Sequence, residues 1–204
     1  MNPCRIRVRV HIGGHTQVKI PTTFDLCGRI AVLIHYLQVG LVEEQVRFGP
    51  VNLLGTGNNL NSNGIQSYLR WLMTQGQRSS CELVPESEGW LYGHQELHHA
   101  RAPGATCLEA LRQMKAFDEV ARNNSKGCGG VMRVAPVGLF AWHWRLGADA
   151  PSSTFDLATD LAAITHGHPT GQLASGVFAV LVLGLASGVS LEDSLNVAVD
   201  LLKI

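Results

Sequence analysis

Asn123-Asn124-Ser125-Lys126-Gly127-Cys128-Gly129-Gly130-Val131-Met132-Arg133 is the stretch that organises this chain. Three glycines in four residues let a backbone approach a ligand closely and adopt positive φ. The spacing predicts that the amides then lead into a helix N-terminus, where unpaired N–H groups and the helix dipole favour an anion. Ser125 offers a hydroxyl to a phosphate or ribose oxygen, and Arg133 is expected to add a charge one turn into that helix. The pattern reads as a phosphate cradle. The same residues would also serve as a tight connection between two packed helices.

Downstream of the loop the pattern is helical. Val131 to Leu146 is an apolar run with Pro136 near its start, and Ser153 with Asp156 three residues later resembles a capping box opening a helix through Ile164. Pro169 stands where a first-turn proline belongs and begins an apolar helix to Leu185. Ser190 and Asp193 repeat the capping device before a last helix carrying Leu191, Leu195, Val199 and Leu202, an apolar stripe expected to need a partner. No Gly or Pro ends that helix before Ile204, which reads as a C-terminus cut short.

Upstream, Thr106 to Phe117 places Leu108, Leu111 and Met114 on one helical face, and Gln75 to Ala102 is irregular. Ile65 to Thr74 predicts a short amphipathic helix with Tyr68, Leu69 and Leu72, preceded by a Gly- and Asn-rich loop from Gly49 to Gly64. Leu26 to Val39 has helical spacing at Ile30, Leu33, Ile34 and Leu37. Ile6 to Ile20 alternates with period two around Gly13-Gly14, a hairpin signal. The composition divides into residues 1–63 and a helical domain over 64–204.

The 204 residues are 46% hydrophobic, enough for one cored domain. A formal net charge of zero with 16% charged residues argues against broad electrostatic binding to nucleic acid or acidic membranes. Arg5, Arg7 and Arg9 alternate along the first strand and read as a solvated face. The five cysteines are odd in number and include no CxxC pair, so reduced thiols in a cytoplasmic protein are the expectation. The start of the chain lacks the apolar core of a signal peptide. Leu173 to Ala186, broken by Gly176 and Gly184, falls short of the ~20 residues of a membrane span and reads as a core helix.

Thr165-His166-Gly167-His168-Pro169 forms a second constellation between two helices. Two histidines at i, i+2 suit metal ligation, but no carboxylate or cysteine stands near them in sequence to complete a set. His166 fits better as a hydrogen-bond donor to a phosphate. The alternative, weightier for His168 than for His166, makes one histidine a cap on the preceding helix and the other a satisfied core residue.

The run from Asn123 to Gly138, the Thr-His-Gly-His-Pro turn and the apolar helix after it resemble the ADP-ribosylglycohydrolase family. Arg101 to Leu111 and Tyr68-Leu69-Arg70-Trp71-Leu72 are similar to stretches that family places upstream; the likeness is specific from Arg101 to about Asp200 and poor before Gly64. The resemblance implies an all-α, orthogonal multi-helix bundle, here truncated and preceded by a β-hairpin. It implies hydrolysis of the glycosidic bond between ADP-ribose and an acceptor, with two Mg²⁺ (or Mn²⁺) ions helping water attack the anomeric carbon. It assigns the diphosphate and distal ribose to Ser125, Lys126, Gly127, Cys128, Gly129 and Gly130, with His166 on the phosphate side, Cys128 where many members carry Asn, and the Met132-Arg133 pair mainly as structural support for the loop.

Two departures from the family pattern bear on activity. The metal-holding Thr-Asp-Asp motif is reduced to a lone Asp25 in Thr22-Thr23-Phe24-Asp25, and the later Asp-x-Asp-Ser/Thr motif does not occur. The expected metal ligands are therefore absent, and impaired activity is the expectation. The first 63 residues then read as a frameshifted or wrongly started translation. Two further expectations stand beside the hydrolase: a non-catalytic module binding ADP-ribose or another nucleotide diphosphate, and a fragment that needs a complementary chain.

Overall fold

The computed structural model describes residues 58–81, 92–100, 103–117, 119–144 and 149–203. The hairpin over 6–20 and the helix over 26–39 lie outside them. Among the described residues there are six α-helices and no strand, which bears out the all-α expectation. They are α1 (Asn58–Thr74), α2 (Ala105–Gln113), α3 (Ala135–Trp144), α4 (Ala150–Ala163), α5 (Pro169–Ala186) and α6 (Leu191–Leu201), with 3-10 turns at Gln95–Leu97 and Val131–Arg133.

α1 is longer than its apolar spacing indicates. It runs through Asn58 to Gly64, which the Gly/Asn composition assigns to a loop. Burial overrides local preference here: Ile65, Tyr68, Leu69, Trp71 and Leu72 are all core residues, and Gly64 lets the helix lie against Leu161 of α4 where a Cβ would collide. α1 ends at Gly76, φ 74°, with Gln77 N–H donating to Leu72 O (3.2 Å) and Gly76 N–H to Met73 O (2.9 Å). That is a Schellman stop. Gly188, φ 82°, ends α5 in the same way, through Val189 N–H to Gly184 O (2.9 Å) and Gly188 N–H to Leu185 O (3.1 Å).

α5 is the hub. It packs on α3, α4 and α6 and touches the 3-10 turn at Val131–Arg133. Its inward face is built of small groups, with Gly171, Ser175, Gly176, Ala179 and Val180 buried, so neighbouring backbones come close. A Cβ on Gly176 would sit 2.6 Å from Thr159 Oγ1 and 2.8 Å from the Phe155 ring on α4. A Cβ on Gly138 of α3 would press on Ala179 O and come within 2.9 Å of Leu183 N, both backbone atoms of α5. Helices joined at such short range gain dispersion contacts that a larger residue would forfeit. α5 is long and apolar enough to cross a membrane by length and composition alone; it packs on three helices, and about a third of it is buried.

Several helix ends differ from the sequence reading. α4 begins at Ala150 after Asp149, with Pro151 in its first turn, so Ser153 lies inside the helix and caps nothing. The expected helix from Val131 is a 3-10 turn, and regular α-helix starts only at Ala135. The Ser190 cap forms as expected: Asp193 N–H donates to Ser190 Oγ at 3.1 Å. The stripe Leu191, Leu195, Val199 and Leu202 faces solvent at 41–56% exposure. α6 instead docks through Ser194 and Ala198, where Gly184 admits the Ser194 side chain.

Gly138→Ala is expected to lower the stability of the folded chain by about 1–3 kcal/mol, because the added methyl meets backbone that cannot step aside. Leu195→Ser, on the exposed stripe, should stay within about 0.5 kcal/mol of wild type. Urea unfolding midpoints measure both.

Candidate functional site

The glycine loop lies across the turn between α4 and α5, and Asn123 fastens the two together. Asn123 Oδ1 accepts from Ser125 N–H (3.0 Å) and Gly167 N–H (3.0 Å), while Asn123 Nδ2 donates to Thr165 O (3.0 Å). Gly167 packs so closely on the backbone of Ala121 and Asn123 that no side chain fits there. Ser125 Oγ accepts from Gly127 N–H at 3.2 Å and thereby closes the first bend of the loop. The loop is assembled by hydrogen bonds across some forty residues of sequence, which is why its geometry is absent from the spacing alone.

His166 lies beneath the loop, 2% exposed. A Cβ on Gly127 would meet its Nε2 at 3.4 Å, and one on Gly129 would meet Cε1 at 3.0 Å and Nε2 at 3.2 Å. At Gly129 a side chain would therefore crowd the ring, while at Gly127 it would only touch the ring and would press on Ser125 Oγ at 3.3 Å. Positive φ, expected from the sequence, is not what these glycines supply: among the described residues it occurs at Gly76 and Gly188, and Gly130 is right-handed at φ −65°. Burial, and after it the neighbouring Arg133 charge, depress the His166 pKa from 6.5 to about 4. The ring is neutral wherever the protein works near neutral pH.

Arg133 departs furthest from expectation. It is 1% exposed and points into the bundle, so it offers no charge to an outside anion. Its Nη2 donates to Leu161 O (3.1 Å), Ala162 O (3.5 Å) and Thr165 Oγ1, and its Nη1 to Cys107 Sγ (3.4 Å). Its guanidinium lies over the Tyr68 ring, 4.7 Å from the centroid. A cation at the carbonyl end of α4 is favourable, and the aromatic face adds to that. Burial raises the Tyr68 pKa, with Arg133 opposing it. The buried cluster fits the structural support that the Met132-Arg133 pair implies by resemblance, while the Asn123 fastening and the partners of Arg133 were missed from sequence. The paired Asn123-Asn124 and the Thr before His166 were the available signals.

His168 caps the helix that follows it: Nδ1 accepts from Thr170 N–H at 3.0 Å. It is thus neither a core residue nor a cap on the helix before. The loop itself stays open. Lys126, Gly127 and Cys128 are exposed, and among the described residues the amides of Lys126 and Cys128 make no hydrogen bond. Free amides beside a serine hydroxyl are suited to anionic oxygens. Ser125 and Asn123 also line an open cleft of about 600 Å³, whose walls carry Glu109, Arg112, Glu119 and Arg122. The structure thus brings Ser125 to Gly130 and His166 together. Among the described residues no group of three or more His, Cys, Asp or Glu side chains stands together to hold a metal ion. The described part of the chain does not fit a dinuclear metal centre.

Removing the Asn123 fastening should loosen the loop without unfolding the bundle. In Asn123→Ala the Ser125 and Gly167 amides are expected to exchange with deuterium faster, while amides inside α5 keep their protection. A second expectation concerns acid. Because the folded state holds His166 neutral to about pH 4 and the unfolded chain takes up its proton near 6.5, this residue's stabilisation is complete above about 6.5. It is lost as pH falls through about 4. The urea midpoint of wild type should therefore drop more between neutral and acid pH than that of His166→Gln.

With this geometry in place, comparison with known proteins gives one match. No curated protein and no solved structure matches the chain. The family model described as ADP-ribosylglycohydrolase matches residues 22–203, which covers every described residue and extends upstream of them. The chain belongs to the ADP-ribosylglycohydrolase family.

Proposed function

We propose that this chain binds ADP-ribose, free or linked to an acceptor, with the diphosphate on the Ser125–Gly130 loop above His166. The observation that carries the reading is the open loop itself. Lys126 and Cys128 are exposed with amides that make no hydrogen bond among the described residues, Ser125 is half-buried beside them, and Asn123 and the buried turn hold the loop's shape. The 600 Å³ cleft beside Ser125 supplies room for the rest of a nucleotide-sized ligand. Membership in the family supplies the reaction class, hydrolysis of the glycosidic bond between ADP-ribose and its acceptor.

The family's Mg²⁺ or Mn²⁺ chemistry, activation of water against the anomeric carbon, needs carboxylate ligands. In this sequence Asp25 stands alone where the family pairs two aspartates. The lone carboxylate therefore supports binding with weak or absent hydrolysis, and a non-catalytic ADP-ribose module is the second reading. The free cysteines Cys81, Cys107 and Cys128 support placement in the cytoplasm.

Calorimetric titration with ADP-ribose tests the binding site. Micromolar affinity is expected for wild type, and Gly129→Val, which crowds His166, should weaken it about tenfold or more. Absence of saturable binding at millimolar ADP-ribose would remove the reading. Release of ADP-ribose from a modified peptide in Mg²⁺, measured alongside, separates the two readings: turnover well above buffer identifies a competent hydrolase, and binding without turnover a module.

A further inference from the structure

We infer that Arg133 is a positioning residue that acts through Thr165 to hold His166 in a single tautomer, with its proton on Nε2 facing the glycine loop. The argument is one of donors and acceptors. A guanidinium only donates, so the hydrogen bond between Arg133 Nη2 and Thr165 Oγ1 brings its hydrogen from arginine. Thr165 Oγ1 has one other partner, His166 Nδ1 at 2.9 Å. The hydroxyl oxygen could also accept a ring N–H on its second lone pair, but the buried threonine hydrogen would then have no acceptor among the described residues; it is satisfied when it points to a bare Nδ1. A neutral imidazole with a bare Nδ1 carries its proton on Nε2.

That nitrogen sits beneath Gly127 and Gly129, where a Cβ would touch it at 3.4 Å and crowd it at 3.2 Å respectively. The loop's floor is therefore a neutral N–H donor. The opposite tautomer would present a lone pair and repel an anionic oxygen settling on the loop. Burial and the Arg133 charge keep the ring from gaining a second proton, so the donor carries no positive charge. Two further guanidinium bonds, to Leu161 O and Ala162 O, anchor Arg133 to the end of α4, whose chain continues directly into Thr165 and His166. One buried side chain thus sets both the place and the protonation of the ring. This deepens the ADP-ribose reading and rests on it only for the identity of the ligand.

Long-range ¹H–¹⁵N correlation spectra of the full chain labelled with ¹⁵N-histidine distinguish the tautomers, and His166→Gln assigns the signal among the nine histidines. Wild type should show His166 with Nε2 protonated and Nδ1 bare, unchanged from neutral pH to about pH 5. Thr165→Val keeps the shape of the side chain but removes the relaying hydroxyl, and should give a mixture of tautomers or the Nδ1–H form. Thr165→Ser should restore the wild-type pattern. ADP-ribose affinity should fall about fivefold or more in Thr165→Val and recover in Thr165→Ser. A wild-type His166 protonated on Nδ1 overturns the inference without recourse to any variant. So does a folded Thr165→Val that keeps the pure Nε2–H form. The expected tautomers without ADP-ribose binding by wild type would uphold the relay and remove the ADP-ribose reading instead.

Discussion

A guanidinium buried in the middle of a helical bundle, with no carboxylate among the described residues to meet it, is costly unless its hydrogens and its charge are both satisfied. Arg133 meets most of that demand by drawing four parts of the chain around itself, and only its buried Nε–H is left without a partner among the described residues. The end of α4 gives carbonyls, α1 gives the face of Tyr68, α2 gives the Cys107 sulfur, and the turn after α4 gives the Thr165 hydroxyl. Each of these groups is worth little alone. Their joint presence fixes how α1, α2 and α4 stand around the 3-10 turn at Val131–Arg133, and so where the glycine loop leaves the bundle.

The site follows from that arrangement. Because α4 is held at its carbonyl end, His166 emerges at a fixed depth, and the loop from Ser125 to Gly130 settles over it with only hydrogen atoms between. α5 completes the enclosure. Its small inward residues let α3, α4 and α6 come near, and Ser175 and Gly171 face the loop from the other side, where a Cβ on Gly130 would lie 3.0 Å from Ser175 Oγ. Backbone packed this tightly has few alternative arrangements. An exposed loop consequently keeps a defined shape while its outer amides stay open to solvent.

Features fixed by neighbouring residues were legible in the sequence. Pro169 in the first turn of α5 and the Ser190 cap lie where their local chemistry points. Features decided by tertiary contact were not. Ser153 and Asp156 have the spacing of a cap, but Asp149 and Pro151 start the helix first. The asparagines from 58 to 63 have weak helical preference, yet they extend a helix whose later residues are buried. The α6 stripe has helical spacing, but spacing does not say which face meets the core: Ser194 and Ala198 do, because Gly184 leaves room for them. Arg133 read as a surface charge for the same reason. A single sequence shows that a cation is present and is silent on the ring of carbonyls, sulfur and aromatic face that accepts it.

Asn123 carries a consequence for chemical ageing. Its amide works in both directions at once, the oxygen taking two backbone hydrogens and the nitrogen giving one to Thr165 O. Asparagine is among the residues that heat and time convert to aspartate. That conversion changes one atom, leaves size and shape almost untouched, and turns the donor into an acceptor facing a carbonyl oxygen. A stored sample could therefore keep its mass to within a single dalton, its helices and its solubility while the clasp between loop and turn repels itself open. Loss of ligand capacity on storage would come before any visible unfolding.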